Sequence, residues 1–298
     1  MSDQFLLVGH PVSHSVSPQI HRAAYDSLGR SGRYDLFDAV DEAAVKSVVE
    51  RIRRGELRGA NVTVPWKRVA LELADERAES AEAIGAANVL SLDDRGRVVA
   101  SNTDAVALAA ELREASSFLV GKRRTAVVLG IGGAALASVV SARDAGFSRV
   151  LVSGRRYVAG TPESDWPDAE DFRRLGAEPI AWPAAGEKFA VDPEWGAVVQ
   201  ATSAGMKGKE GGEELAALVP WESLSPLLAY DLVYNPPVTP FSREAARAGH
   251  HARGGLGMLV GQAARAIEIW WGVLPPSAPL LDAARAALGL RDEVPSGQ

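Results

Sequence analysis

The sequence predicts an α/β protein of two domains. Short apolar runs alternate with amphipathic stretches of helical period along most of the chain, the pattern of parallel α/β sheets. The length, 298 residues, suits two domains of ordinary size. One apolar run, Thr125 to Leu129, enters the turn Gly130-Ile131-Gly132-Gly133-Ala134-Ala135, and a helical stretch follows it.

The elements follow in order. Phe5 to Val8 reads as a buried strand. Ser17 then Pro18 is a helix start, a capping hydroxyl before proline, with the helix running to Leu28 and stopping at Gly29. Asp41 to Arg54 is a helix with Val45, Val48, Val49 and Ile52 on one face. Asn61 to Trp66 reads as a strand. Val62, Val64 and Trp66 alternate with Asn61, Thr63 and Lys67, so the three polar groups share a face, and Pro65 ends the ladder near Lys67. Ala70 to Ile84 is helical and acidic, and Asn88 to Leu92 with Arg97 to Ala100 form a hairpin about Asp93–Gly96. A helix covers Thr103 to Ala115, and Arg149 to Ser153 is the strand after the glycine turn. Tyr157 to Pro183 is irregular except for a helix at Ala169 to Leu175. Ala197 to Ala201 and Leu227 to Leu232 are strands, Leu256 to Trp271 is an apolar helix, and the tail after Leu290 reads as disordered.

Composition excludes several classes. Hydrophobic residues make up 47%, enough for full cores, and the net charge of −6 with no basic run argues against nucleic acid. No cysteine is present, which removes disulfides and thiolate metal sites and fits the cytoplasm. The five histidines lack metal-ligand spacing, so no metal is expected. Met1 to Gly9 has no basic leader and does not read as a signal peptide. The uncharged stretch Ala126–Ala142 is broken by glycines, so no membrane span is expected.

Two motifs carry chemistry. Gly130, Gly132 and Ala135 fit the dinucleotide-binding turn. The first glycine makes the tight bend, the second admits the pyrophosphate, and the small third residue lets helix and strand pack. Gly133 and Ala134 then open a helix whose free N–H groups face the phosphates. At the end of the next strand, Ser153-Gly154-Arg155-Arg156 has no acid to grip a ribose 2′-hydroxyl and two guanidinium groups suited to a 2′-phosphate. NADP is the expected cofactor, in a Rossmann-like doubly wound domain. The second motif is Asn61 to Lys67. Lysines number only six against 26 arginines, and Lys67 supplies a titratable amine that arginine cannot. From pattern alone, a strand with one solvated face accounts for the segment equally well.

With these residues in place, the chain resembles the shikimate dehydrogenase family over nearly its whole length. Ser15-Val16-Ser17-Pro18 resembles the S-x-S-P segment that binds a carboxylate, and Asn61–Lys67 resembles N-V-T-x-P-x-K. Asn102-Thr103-Asp104 is similar to N-T-D, and Gly130–Ala135 to G-x-G-G-A-x. Ala201-Thr202-Ser203-Ala204-Gly205-Met206 is similar to the loop near the nicotinamide, and Tyr230–Phe241 to Y-D-x-x-Y-x-P-x-x-T-P-F. Gly255–Gln262 resembles the last substrate-side helix. The resemblance implies Lys67 and Asp104 as catalytic partners and Ser15, Ser17, Thr63, Asn88, Tyr234 and Gln262 as substrate ligands. It implies Gly130, Gly132, Gly133, Ala134, Arg155, Arg156, Thr202, Met206 and Gly255 on the cofactor. Departures are His10, Val89, Ala105, Gly154, Gln200 and a longer 157–185 segment; none removes a candidate acid, base or ligand.

The implied fold is a discontinuous substrate domain, 1–103 with 255–298, and a dinucleotide domain, 104–254, with hinges near 104 and 254 about a cleft. The implied reaction is reversible reduction of 3-dehydroshikimate to shikimate by NADPH, in aromatic amino acid biosynthesis, by a monomer or homodimer. Hydroxyls at Ser15 and Ser17 ahead of a helix suit a carboxylate, although Ser17 also fits simple capping. Asp104 fits capping as well. Quinate or an aminated shikimate analogue stands as an alternative substrate, and a non-catalytic ligand-sensing module as an alternative class.

Overall fold

The computed structural model describes residues 3–119 and 124–290; the tail after Leu290 lies outside them. The chain forms two units, Met1–Thr103 with Val260–Gln298, and Asp104–Leu259.

The first unit begins with β1 (Asp3–Gly9), α1 (Ser17–Ser27), β2 (Gly32–Asp38), α2 (Glu42–Arg53) and β3 (Gly59–Val62). It continues with α3 (Lys67–Leu73), β4 (Glu76–Arg77), α4 (Glu79–Ile84), β5 (Val89–Leu92) and β6 (Val98–Ser101). The sheet order is β2-β1-β3-β5-β6-β4. It is mixed: β1 runs parallel to β2 and β3, while β5 is antiparallel to both β3 and β6. The reversal follows from the short β5–β6 turn, where Asp93 Oδ1 accepts from the Arg95 and Arg97 amides at 2.9 and 2.8 Å. So short a link can only join antiparallel strands. Asp41 caps α2 by accepting from the Ala44 amide at 2.8 Å, and Val45, Val48, Val49 and Ile52 pack on Leu6, Val8, Ala60, Val62 and Leu90.

Three sequence expectations need correction. The expected strand Asn61–Trp66 stops at Val62, and Lys67 is the first residue of α3, so the alternation of Asn61, Thr63 and Lys67 on one strand face does not hold. Residues 63–66 form a turn with a cis Val64–Pro65 bond. The expected helix Ala70–Ile84 is two short helices parted by β4, which pairs with β6. Ser17 is the first residue of α1 rather than its cap, and the cap position, Val16, has no side-chain cap hydrogen bond.

The second unit holds α5 (Asp104–Ala115), β7 (Thr125–Leu129), α6 (Gly133–Asp144), β8 (Arg149–Ser153), α7 (Ala169–Arg174) and β9 (Glu178–Pro179). Then come β10 (Trp195–Gln200), α8 (Gly212–Leu218), β11 (Leu228–Asp231), α9 (Pro240–Arg247) and β12 (His251–Gly254). All its strands are parallel, in the order β12-β11-β10-β7-β8-β9. Numbered from β7, this is the doubly wound order 3-2-1-4-5-6, with the switch point between β7 and β10. The central strands β7, β10 and β11 are buried along their whole length, and Val127, Leu129, Val198 and Ala229 belong to one core cluster with Trp195, Trp221 and Phe241.

α10 (Leu256–Trp271) starts in the second unit and ends in the first, where α11 (Ser277–Ala287) packs on α1. Trp270 stacks on Phe5 with ring centroids 4.4 Å apart and donates to the Leu90 carbonyl at 3.0 Å. No helix among the described residues is long and apolar enough to cross a membrane.

Candidate active site

In the first unit, the candidate substrate residues gather at one end of the sheet. Ser15 and Ser17 follow β1, Thr63 and Lys67 follow β3, Asn88 precedes the antiparallel β5, and Thr103 follows β6. Ligand sites of open α/β sheets lie at such strand ends. Ser15 Oγ donates to Ser17 Oγ at 3.0 Å and accepts from the Ser17 amide at 3.2 Å. The Ser17 hydroxyl therefore does not cap the helix. It stands at the start of an 11-residue helix, where the dipole favours an anion.

The turn that presents Lys67 is pinned on both sides. The Thr63 amide donates to the Val8 carbonyl at 2.8 Å, and the His10 amide to the Val64 carbonyl at 3.0 Å. The Trp66 indole donates to the Ala39 carbonyl at 2.7 Å, and the Lys67 carbonyl accepts from the Ala87 amide at 2.9 Å. Gly9 makes the close approach possible, since a Cβ there would fall 2.3 Å from Thr63 Cγ2. Thr63 and Lys67 are half-buried.

Asn88 is 2% exposed and is held by both ends of its amide. Its Nδ2 donates to Thr103 Oγ1 at 2.9 Å, and its Oδ1 accepts from the Thr103 amide at 2.8 Å. The Thr103 hydroxyl also donates to the Gln262 carbonyl at 3.1 Å, which ties α10 to this edge. Thr103, which the sequence offers only as the middle of Asn102-Thr103-Asp104 and as a possible cap, is thus the link that holds Asn88 and α10 together. Asp104 is buried and opens α5 in the second unit, whereas Lys67 belongs to the first.

In the second unit, the candidate residues other than Asp104 follow the carboxyl ends of strands. Gly130 follows β7, Arg155 and Arg156 follow β8, Thr202 and Met206 follow β10, Tyr234 follows β11 and Gly255 follows β12. Gly130 has φ +130°, and a Cβ there would lie 2.8 Å from the Ala201 carbonyl oxygen, so only glycine fits at this crossing. A Cβ on Gly132 would meet nothing within 4 Å, and no side chain caps α6, which Gly133 and Ala134 open. That open space before an uncapped helix start suits a pyrophosphate. Arg155 and Arg156 are exposed, and Arg156 has Asp168 Oδ2 at 3.7 Å. No carboxylate occupies Ser153–Arg156 itself.

Two further residues shape the loops. Gln200, fully buried, accepts from the Thr202 amide and donates to the Ala204 carbonyl at 3.0 Å, so it sets the loop that carries Thr202 and Met206. Asp231, 1% exposed, accepts from the Val233 amide at 2.9 Å and from the Thr239 hydroxyl, fixing the segment that carries Tyr234. Burial pushes the pKa of its carboxyl up to about 6, against those two hydrogen bonds. Both residues stood within or beside quoted motifs, but spacing gives no sign that a side chain will turn back onto its own loop. Among the described residues, no group of three or more His, Cys, Asp or Glu could hold a metal ion.

Comparison with known proteins identifies the family. The family described as "Shikimate dehydrogenase substrate binding domain" matches residues 7–90, and "Shikimate 5'-dehydrogenase C-terminal domain" matches residues 255–285. The chain is 35% identical over 291 residues to a shikimate dehydrogenase (NADP(+)) of Cupriavidus necator, covering 96% of this chain and 95% of that one. It is 37% identical over 287 residues to a Thermus thermophilus enzyme of the same name, covering 96% and 99%. The crystal structure of shikimate 5-dehydrogenase from Thermus thermophilus in complex with NADP(H) and shikimate superposes with a TM-score of 0.76 at 33% identity, covering 96% of this chain and all of that one. A 5-ketofructose reductase of Gluconobacter sp. strain CHM43 reaches 0.78 at 26% identity, covering 96% and 99%. On sequence, fold and motif order together, the chain belongs to the shikimate dehydrogenase family.

Proposed function

We propose that this protein is an NADP-dependent shikimate dehydrogenase that reversibly reduces 3-dehydroshikimate to shikimate. The observation that carries the substrate is the serine pair. Two linked hydroxyls stand at the start of α1, one just before it and one on its first residue, an arrangement that suits an anion. A keto sugar has no carboxylate to place there, so binding of an anion by this pair is what would distinguish this reading from that of a reductase of neutral ketoses.

The cofactor supplies the hydride when bound. The chain's residues do the rest. Ser15 and Ser17 donate to the substrate carboxylate. Asn88, Thr63, Tyr234 and Gln262 orient the ring hydroxyls through amide and hydroxyl donors and acceptors. Lys67 and Asp104 form the acid–base pair, stabilising charge at the reacting oxygen and exchanging one proton with it. Arg155 and Arg156 take the adenosine 2′-phosphate. The Gly130–Ala134 turn takes the pyrophosphate, while Thr202, Met206 and Gly255 border the nicotinamide.

The test is binding by the serine pair. Ser15→Ala and Ser17→Ala should each weaken shikimate binding by about 1–3 kcal/mol, the scale of a hydrogen bond to a charged group, measured by titration without cofactor. Unchanged affinity in both would return the serines to a purely structural role.

A further inference from the structure

We infer that Glu111 is a positioning residue for the substrate-side helix α10, its carboxylate set from α5 against the first turn of that helix. The inference rests on the reading of Gly255 and Gln262 given above and deepens it.

Glu111 lies seven residues after Asp104 on α5, two turns on and on the same face. Its carboxylate meets the start of α10. A Cβ on Gly257, the second residue of α10, would fall 2.3 Å from Glu111 Oε1 and 2.5 Å from Oε2. The carboxylate therefore lies against bare backbone, and any side chain at 257 would displace it. Gly257 does not have the positive φ that explains other glycines of this chain, and glycine inside a helix costs stability. Room for Glu111 accounts for it. From the other side, Tyr230 of β11, fully buried, donates its hydroxyl to Glu111 Oε2 at 3.4 Å. Burial raises the Tyr230 pKa well above its ordinary value, so the phenol keeps its proton and stays a donor. Glu111, Tyr230 and Gly257 all belong to the second unit.

The first turn of a helix carries amides without helical partners and the positive end of the dipole, so a carboxylate holds it in place. In the reading above, the start of α10 serves both reactants. Gly255, just before the helix, borders the nicotinamide, and Gln262, less than two turns after Gly257, orients the substrate. The other charged groups near Glu111 are Arg253 of β12 and Glu114 of α5, which pair with each other at 2.9 Å. The charge on Glu111 does not serve the fold. Burial raises the pKa of its carboxyl, and Arg253 and Tyr230 only oppose that shift. A carboxyl whose pKa rises on folding lowers stability once the pH exceeds its unfolded value. A group that burdens the fold while ordering the helix of the site separates positioning from support.

The experiment is Glu111→Gln in the full-length protein, which keeps the shape and removes the charge. The kcat/KM for shikimate should fall about fivefold, the scale of a carboxylate at a helix start. Binding of NADP⁺, titrated without substrate, should stay within about twofold, because the glycine turn and the arginines are untouched. Thermal unfolding at neutral pH should come no earlier than in the wild type. Gly257→Ala should push the carboxylate aside and lower kcat/KM at least as far, whereas adding Gly257→Ala to Glu111→Ala should cost no more than Glu111→Ala alone. Unchanged kcat/KM in Glu111→Gln, or a loss matched by earlier unfolding, would make Glu111 a packing residue and overturn the inference. So would additive losses in the double variant. If Gln262→Ala leaves KM for shikimate unchanged, the reading of α10 as a substrate helix fails and takes this inference with it.

Discussion

Asp231 gives the sharpest quantitative prediction. Its carboxyl is 1% exposed, and burial raises its pKa from 3.8 to about 6 in the folded protein. Below about pH 4 the group is protonated both folded and unfolded, and burial costs nothing through this term. Between about 4 and 6 the unfolded chain ionises while the folded one keeps its proton, so the unfolded state binds fewer protons and stability falls as pH rises. Two units at roughly 1.4 kcal/mol each amount to a loss of about 3 kcal/mol, constant above about pH 6. Asp231→Asn removes the titration. Its amide oxygen still accepts from the Val233 amide, and its amide nitrogen turns toward the Thr239 hydroxyl. Groups such as Asp75, whose pKa the Arg53 guanidinium lowers, act equally in both proteins and cancel in the difference. Guanidinium unfolding followed by tryptophan fluorescence should therefore show the variant gaining on the wild type from pH 4 to 6 and holding that gain to pH 8. Parallel stability curves across this range would refute the argument.

The remaining predictions concern catalysis and the cofactor. Lys67→Ala should lower kcat by about 10²-fold or more with little change in KM; Asp104→Asn should do likewise, and the double variant should be far from additive. A Lys67 variant with near wild-type kcat would remove it from the chemistry. Arg155→Ala with Arg156→Ala should raise KM for NADP and leave use of NAD little changed; equal losses with both cofactors would mean that the arginines only support the fold.

Much of the architecture was legible in the sequence, because buried parallel strands and a glycine turn leave strong local signals. Thr125–Leu129, Arg149–Ser153 and the helix Leu256–Trp271 fall where apolar runs put them. The segment Asn61–Lys67 is a strand only as far as Val62. Its polar–apolar alternation imitates a strand, and nothing local reveals that the Thr63 amide and the Trp66 indole will be tied to the Val8 and Ala39 carbonyls and turn the chain. β2 escaped notice because, as an edge strand, it carries Arg33, Asp35 and Asp38 among its apolar residues. Thr103, Gln200 and Asp231 stand in or beside motifs the sequence shows, but their bonds to backbone and side chains form only in the folded chain, so spacing does not reveal what they hold.

The most direct test of the central claim is turnover. Purified protein should reduce NADP⁺ with shikimate, followed by nicotinamide absorbance, with a clearly higher kcat/KM than with quinate. The tetrahedral carbon of quinate brings an extra hydroxyl to the serine pair and turns its carboxylate aside, and an unpaired polar group in a built site discriminates strongly. NADP⁺ should also be used far better than NAD⁺. Comparable turnover of the two acids would contradict the account of the serine pair, and oxidation of neutral polyols with none of shikimate would contradict the function itself.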